Sequence, residues 1–274
     1  MKVIKKILFC FKITADLPSF LRLMINSKKL SRSKSRKIPA NKENTYFPLN
    51  IKFKGLRETI FLRTYKGDIE IFYEIFYKRI YSLPSTKGDI KSIIDLGANI
   101  GLSALYFKAL YPNAHIICVE PGKDNYAMLL KNVGVNKTNG RIMAVNAAIQ
   151  GSDGMVSFED GKMHFNGKVT QSGLKDTVAT SMATLFHFYQ IEKAQLVKID
   201  IEGSEEEIFS ANVDWLETVD NIIIEMHSEI IRDKCQEVLN KNGFTLKQIF
   251  TDPDNDNLFW AFKTGSRLPY TSDM

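Results

Sequence analysis

The chain has 274 residues, 44% hydrophobic and 25% charged, with a formal net charge of +6, which is long enough for one α/β domain with an N-terminal extension or for two small domains. The charge is uneven: residues 1–42 hold twelve Lys or Arg and one acid, Asp16, leaving 25 bases and 30 acids in the other 232 residues, and a mildly acidic body argues against an enzyme whose whole active face grips nucleic acid. Cys10, Cys118 and Cys235 lie far apart without a C-x-x-C pair, which fits neither a disulfide framework nor a zinc site and suits a reducing cytoplasm.

Residues 1–11 begin like a secretion signal, but Lys12 interrupts the apolar stretch, no small-residue cleavage site follows, and Asp16 and Arg22 exclude a spanning run. Ile4, Ile7, Leu8 and Phe11 have helical spacing. They predict an amphipathic helix flanked by lysines, able to rest on an anionic membrane at the inner face or to dock on its own domain or a second subunit. Residues 26–45 are polar, basic and without period, and read as a loose linker that completes a basic arm over 1–45. Residues 50–54 and 59–65 predict a hairpin around Gly55, after which Asp68 would cap a helix carrying Ile71, Ile75, Phe76 and Ile80. This block, 46–90, is a small α+β extension that would serve as a lid or dimer surface.

From Ser92 onward strands and helices alternate, the pattern of a parallel sheet covered on both faces. Strands are expected at 92–97, 115–120, 141–146, 195–200 and 221–226, with helices starting near Leu102, Asp124, Ser204 and Ile230. Segments 244–250 and 257–263 flank the turn formers 251–256, a connection too short for a parallel crossover. The expectation for 91–274 is therefore an α/β domain with a seven-stranded, mainly parallel sheet and one antiparallel strand. The alternation breaks over 150–194, a glycine-rich insertion that would lie beside the ligand edge as a substrate lid.

The run Ile93-Ile94-Asp95-Leu96-Gly97-Ala98-Asn99-Ile100-Gly101 reads as a buried strand entering a glycine loop that opens a helix. Gly97 and Gly101 would allow a tight turn and a close approach to a ligand. The second and third glycines of the dinucleotide fingerprint G-x-G-x-x-G fall here on Asn99 and Leu102, so this is a poor nicotinamide loop. Asp95 would repel a pyrophosphate but accept from a cationic amino group. S-adenosylmethionine carries an ammonium and a sulfonium, and Glu120, nineteen residues past Gly101, stands where an acid would bind ribose hydroxyls. The plain structural alternatives are that Asp95 caps a helix and Glu120 is a strand-end charge. A second signal, Leu196-Val197-Lys198-Ile199-Asp200-Ile201-Glu202-Gly203-Ser204-Glu205, delivers Asp200 and Glu202 to the same edge, while acids at 205–207 would stabilise a helix dipole.

Asp95-Leu96-Gly97-Ala98-Asn99-Ile100-Gly101, Glu120-Pro121, Asn146-Ala147-Ala148-Ile149, the Asp200 motif and Ile224-Glu225-Met226-His227 together resemble the FkbM family of S-adenosylmethionine-dependent methyltransferases over roughly residues 90–263. The resemblance implies a Rossmann-like class I methyltransferase fold and O-methylation of hydroxyls on sugars, glycans or related natural products, as in polysaccharide biosynthesis. It places Asp95, Gly97, Asn99 and Gly101 on the methionyl part and Glu120 on the ribose. Asn146 and Ala147 would lie near the adenine, without the acid that related enzymes use for its amino group. Asp200 and Glu202 would line the methyl-transfer end. A hydroxyl acceptor must lose its proton, and His227 is the first choice of base, Asp200 the second; His227 also reads simply as a strand-end cap. Asp200, Glu202, Glu225 and His227 could together hold a divalent ion, but their spacing matches no dedicated metal motif and a metal is not favoured. His115 reads as structural, while His164 and His187 lie in the insertion. The competing functions are a nucleic-acid or other small-molecule methyltransferase, which the missing Asn/Asp-Pro-Pro-aromatic tetrapeptide disfavours for the former, and a non-catalytic membrane-associated binding module.

Overall fold

The computed structural model describes residues 2–33, 45–83, 89–135, 140–159, 168–170, 176–249 and 257–263. Two helices, α1 (Lys2–Ile13) and α2 (Leu17–Ser33), open the chain. Asp16 starts the second by accepting from the Ser19 N–H at 2.7 Å, and its other oxygen accepts from Asn50 at 2.7 Å. Helix α2 continues through residues 26–33, which corrects the expected loose linker there. The solvent face of a helix has no core to meet and so carries no apolar period. Residues 34–44 lie outside the described residues.

Strands β1 (Tyr46–Phe53) and β2 (Leu56–Arg63) pair antiparallel across Lys54 and Gly55, both left-handed with φ of 49° and 86°. That is the two-residue turn whose twist suits a hairpin. Helix α3 (Asp68–Phe72) follows and widens into a π turn over Tyr73–Lys78. Asp68 does not cap it. Its carboxylate accepts from the Arg63 backbone N–H and guanidinium at 2.7–3.0 Å, a pair hidden from solvent on both sides.

The remaining elements are β3 (Ser92–Leu96), α4 (Leu102–Leu110), β4 (His115–Val119), α5 (Lys123–Val135), β5 (Ile142–Val145), β6 (Ala148–Ile149), β7 (Gly154–Glu159), β8 (Lys168–Thr170), β9 (Thr177–Thr180), α6 (Met182–Phe188), β10 (Leu196–Ile199), α7 (Glu205–Ser210), a 3-10 turn (Asp214–Thr218), β11 (Asn221–Glu225), α8 (Glu229–Lys241), β12 (Phe244–Gln248) and β13 (Leu258–Lys263). The main sheet has the order β12-β13-β11-β10-β3-β4-β5, and β13 alone runs against its neighbours. The expected seven strands are therefore present with one reversed. The turn formers at 251–256 fall outside the described residues. The insertion folds as a second small sheet, β6-β9-β7-β8.

Alternate side chains of the central strands feed two cores. Ile94, Leu96, Val197, Ile199, Ile222 and Ile224 pack on one face with Ile208, Cys235 and Leu239 from α7 and α8. Ile93, Ile116 and Ile223 pack on the other with Leu105 and Leu129, in a cluster that continues through Leu49 and Ile60 of the hairpin to Cys10 of α1. The extension thus shares a core with the sheet domain. Asn132 of α5 ties the two together, accepting from the Phe61 N–H at 2.7 Å and donating to the Ile100 carbonyl at 2.8 Å.

Candidate active site

Strand β3 is followed in sequence by β4 on one side, while β10 lies on its other side, so the strand order reverses at the carboxyl end of β3. Ligands of open α/β sheets bind at such a crevice. A cleft of about 340 Å³ opens there. Its floor comes from the loops after β3, β4, β10 and β11, one wall from Ile71, Glu74, Ile75 and Tyr81 of the extension, and a further edge from Phe158 and Val169 of the insertion.

The loop after β3 makes the expected tight turn at its glycines, and packing adds a second demand for them. A Cβ on Gly97 would fall 1.8 Å from the Asp200 carbonyl oxygen, and one on Gly101 2.6 Å from the Leu129 side chain, while both residues have left-handed φ, 72° and 85°. Neighbouring protein therefore excludes a side chain at each. Asn99 between them is also left-handed, φ 51°, and lines the cleft with its Oδ1 buried and without a hydrogen-bond partner. Its backbone N–H donates to Glu120 Oε2 at 2.8 Å, and the Gly122 N–H donates to Oε1 at 2.9 Å. Burial pushes the Glu120 carboxyl up to about 7, and the two N–H donors only partly offset this.

These residues fit S-adenosylmethionine: Asn99 Oδ1 is an unmatched acceptor, and the Glu120 carboxylate lines the same cleft. Asn146 holds the turn instead, donating to the carbonyls of Glu120 and Pro121 at 2.9 and 3.1 Å, while Ala147 lines the cleft. Asp95 lies beneath the wall, fully buried; its partners are the Ser103 hydroxyl and the Lys198 ammonium, the latter at 3.1 Å. The cation it faces is therefore the protein's own. Lys198 Nζ also donates to the Gly97 carbonyl at 2.7 Å and stands 3.5 Å from Asp200. Burial works against this ammonium, but the charges of Asp95 and Asp200 outweigh it and hold the amine above its ordinary range.

The ends of β10 and β11 bring Asp200, Glu202, Glu225 and His227 into the cleft. The His227 ring has Nδ1 2.8 Å from Glu205, and Nε2 3.4 Å from Glu202 and 3.8 Å from Glu225. Burial disfavours the imidazolium, yet the Glu205 hydrogen bond and the charges of Glu205, Asp200 and Glu202 raise its pKa to about 9. The surrounding carboxylates thus favour the imidazolium up to a higher pH than in a free imidazole. Burial, then the Asp200 charge, pushes Glu202 up to about 8 and Glu225 to about 7. Glu202 is left-handed, φ 55°, and strain at a non-glycine residue beside a cleft points to a functional constraint. Tyr81 donates to Asp200 at 3.0 Å, and burial keeps that phenol protonated by raising its pKa. Asp200, Glu202 and His227 each present a ligand atom within 4.8 Å of the others.

Lys198, Glu205 and Tyr81 were not singled out in the sequence. Lys198 was hidden as one polar residue in an apolar strand, Glu205 as one of three dipole acids, and Tyr81 carries no local signal. His187 is exposed on α6 and does not line the cleft, His115 is exposed at the amino end of β4, and His164 lies outside the described residues.

Residues 95–247 match the family model described as the methyltransferase FkbM domain. The chain is 26% identical over 227 residues to the methyltransferase sdnD of Sordaria araneosa, covering 70% of this chain and 85% of that one. It is 28% identical over 164 residues to the hexuronic acid methyltransferase AglP of Haloferax volcanii, covering 59% of this chain and 66% of that one. The crystal structure of an FkbM methyltransferase from Methylobacillus flagellatus superposes with a TM-score of 0.50 at 16% identity over 69% of this chain, and this chain spans 47% of that one, a likeness of fold.

Proposed function

Because the chain belongs to the FkbM family of S-adenosylmethionine-dependent methyltransferases, we propose that it methylates a hydroxyl group of a sugar, glycan or related natural product. S-adenosylmethionine supplies an electrophilic methyl group whose leaving group is already in place. The chain's part is then to align the acceptor and remove its proton. Glu120 accepts from the ribose hydroxyls, and Asn99 Oδ1 accepts from the ammonium of the methionyl part. Asp95 acts through Lys198, which pins the Gly97 carbonyl and so the loop. Ala147 borders the adenine.

The observation that carries the reading is the proton-holding cluster at the ends of β10 and β11. A base whose pKa lies near the working pH is the efficient one, and Glu202, at about 8, is placed there. As its carboxylate it takes the hydroxyl proton. The His227 imidazolium, held by Glu205, positions and stabilises that carboxylate. Asp200, bonded by Tyr81, borders the acceptor. The name of the Haloferax relative, a hexuronic acid methyltransferase, supports a sugar acceptor. The test is incubation with S-adenosylmethionine and a panel of glycans and polyhydroxylated metabolites, followed by mass spectrometry. Methylation on oxygen of a sugar supports the reading, and methylation confined to nitrogen, carbon or nucleic acid overturns it.

A further inference from the structure

The docking of α1 uses the side opposite its sequence-marked stripe. Cys10 and Ile13 are buried, Cys10 Sγ lies 3.3 Å from the Tyr73 hydroxyl, and Lys6 stands over the Tyr73 ring at 3.6 Å. Ile4, Leu8 and Phe11 face away, 64%, 53% and 64% exposed. On α2, Leu23 is buried whereas Leu17, Leu21 and Ile25, four residues apart, are 62%, 48% and 53% exposed. The Phe11 ring meets Phe20 edge-on at 5.9 Å and so joins the two helices at this face. Isolated exposed apolar residues need no explanation, but two stripes on adjoining helices do.

The charge around the stripes names the partner. Residues 2–33 contain eight Lys or Arg and one acid, and that acid, Asp16, is engaged by Ser19 and Asn50. Lys5 and Lys12 flank the stripe of α1, and Lys28, Lys29 and Arg32 continue beyond Ile25, all exposed. Among the described residues no helix is long and apolar enough to cross a membrane. We infer that the outer face of the α1–α2 pair lies on an anionic lipid bilayer, with its apolar side chains at the acyl boundary and its lysines among the headgroups. The rest of the body carries more acids than bases and does not compete for that surface. Tyr73, clasped by α1 and by Ser27 of α2 at 3.0 Å, belongs to the segment that walls the cleft, so docking holds the methyl-transfer cleft beside the membrane.

The test is sedimentation of the full chain with vesicles of phosphatidylcholine alone and of phosphatidylcholine with phosphatidylglycerol. Binding is expected only to the anionic vesicles and should weaken with salt. Replacing Ile4, Leu8 and Phe11 together by Ser should abolish it, while calorimetric binding of S-adenosylmethionine is unchanged, which certifies the fold and separates this inference from the proposed reaction. Lys5→Glu and Lys12→Glu, with the apolar face intact, should each reduce partitioning roughly fivefold or more. Failure to bind anionic vesicles overturns the inference, as does equal binding by the triple variant. It is likewise overturned if light scattering shows a wild-type dimer that the triple variant dissociates, because the face would then belong to a second copy of the chain.

Discussion

The two ends of the cleft give their carboxyls different partners. Below the loop after β3, Glu120 is held by the N–H groups of Asn99 and Gly122, and Asp95 by Lys198 and Ser103, so each acid has fixed donors from the protein. At the ends of β10 and β11, Glu202 and Glu225 face Asp200 and share one imidazole, and their pKa values rise toward neutrality. Fixed donors make a rigid acceptor for a ligand. Buried acids that also repel one another make a group whose protons exchange near neutral pH. Burial raises the carboxyls at both ends, Glu120 and Glu225 alike to about 7, so the ends differ in what faces the acids, and Lys198 stands between Asp95 beneath the one and Asp200 beside the other.

The harshest way to break this contrast is Lys198→Met. It strands Asp95 without its cation, and removing one partner of a buried pair costs about 3–5 kcal/mol, so urea unfolding should show a loss of that size. A loss under about 1 kcal/mol would mean the pair behaves as an exposed one. Next comes Glu120→Gln, which should weaken S-adenosylmethionine binding by about 2 kcal/mol, roughly thirtyfold in calorimetry, since hydrogen bonds to a charged acceptor contribute about 1.5–3 kcal/mol each. Gln leaves one of the Asn99 and Gly122 N–H groups facing an amide NH2, so thermal stability should fall as well. The pH dependence of that binding sharpens the contrast further. Glu120 in the free protein titrates at about 7, and hydroxyl donors favour its charged form. Affinity should therefore be level above pH 7 and fall by up to about tenfold per pH unit below it. The smallest effect is expected from a chelator. With Lys198 and the His227 imidazolium already supplying positive charge among the acids, exhaustive dialysis against EDTA should leave the methylation rate unchanged. A loss restored by magnesium would turn the ends of β10 and β11 into a metal site.

The sheet was legible because β3, β10 and β11 are short apolar runs between turn formers, and such runs have few other ways to bury themselves. The reversal of β13 followed from the length of 251–256 alone. The insertion was marked by its glycines, but not its small sheet, since pairing among β6–β9 depends on partners distant in sequence. Most of the residues that line the cleft stand out in the sequence, but not their pairings. Asp95 and Asp200 stand out by position, yet nothing local says that Lys198 lies between them. His227 stands out as a candidate base because an isolated imidazole titrates near neutrality; that acids from two strand ends and a helix surround it and raise its pKa depends on residues distant in sequence. The arm was half legible: the stripe at Ile4, Leu8 and Phe11 predicted a helix, but only packing could tell which side docks.

In the proposed reaction Glu202 of the carboxyl cluster removes the acceptor's proton. The direct measurement is the pH dependence of kcat for the wild type and Glu202→Gln, with S-adenosylmethionine binding monitored in parallel. Wild-type kcat should rise with pH to a plateau with a midpoint near 8, as Glu202 becomes a carboxylate. The Gln variant should bind S-adenosylmethionine normally, turn over about 10²–10⁴-fold more slowly, and lose that ascending limb. A variant that keeps the wild-type rate and the same midpoint would contradict the account.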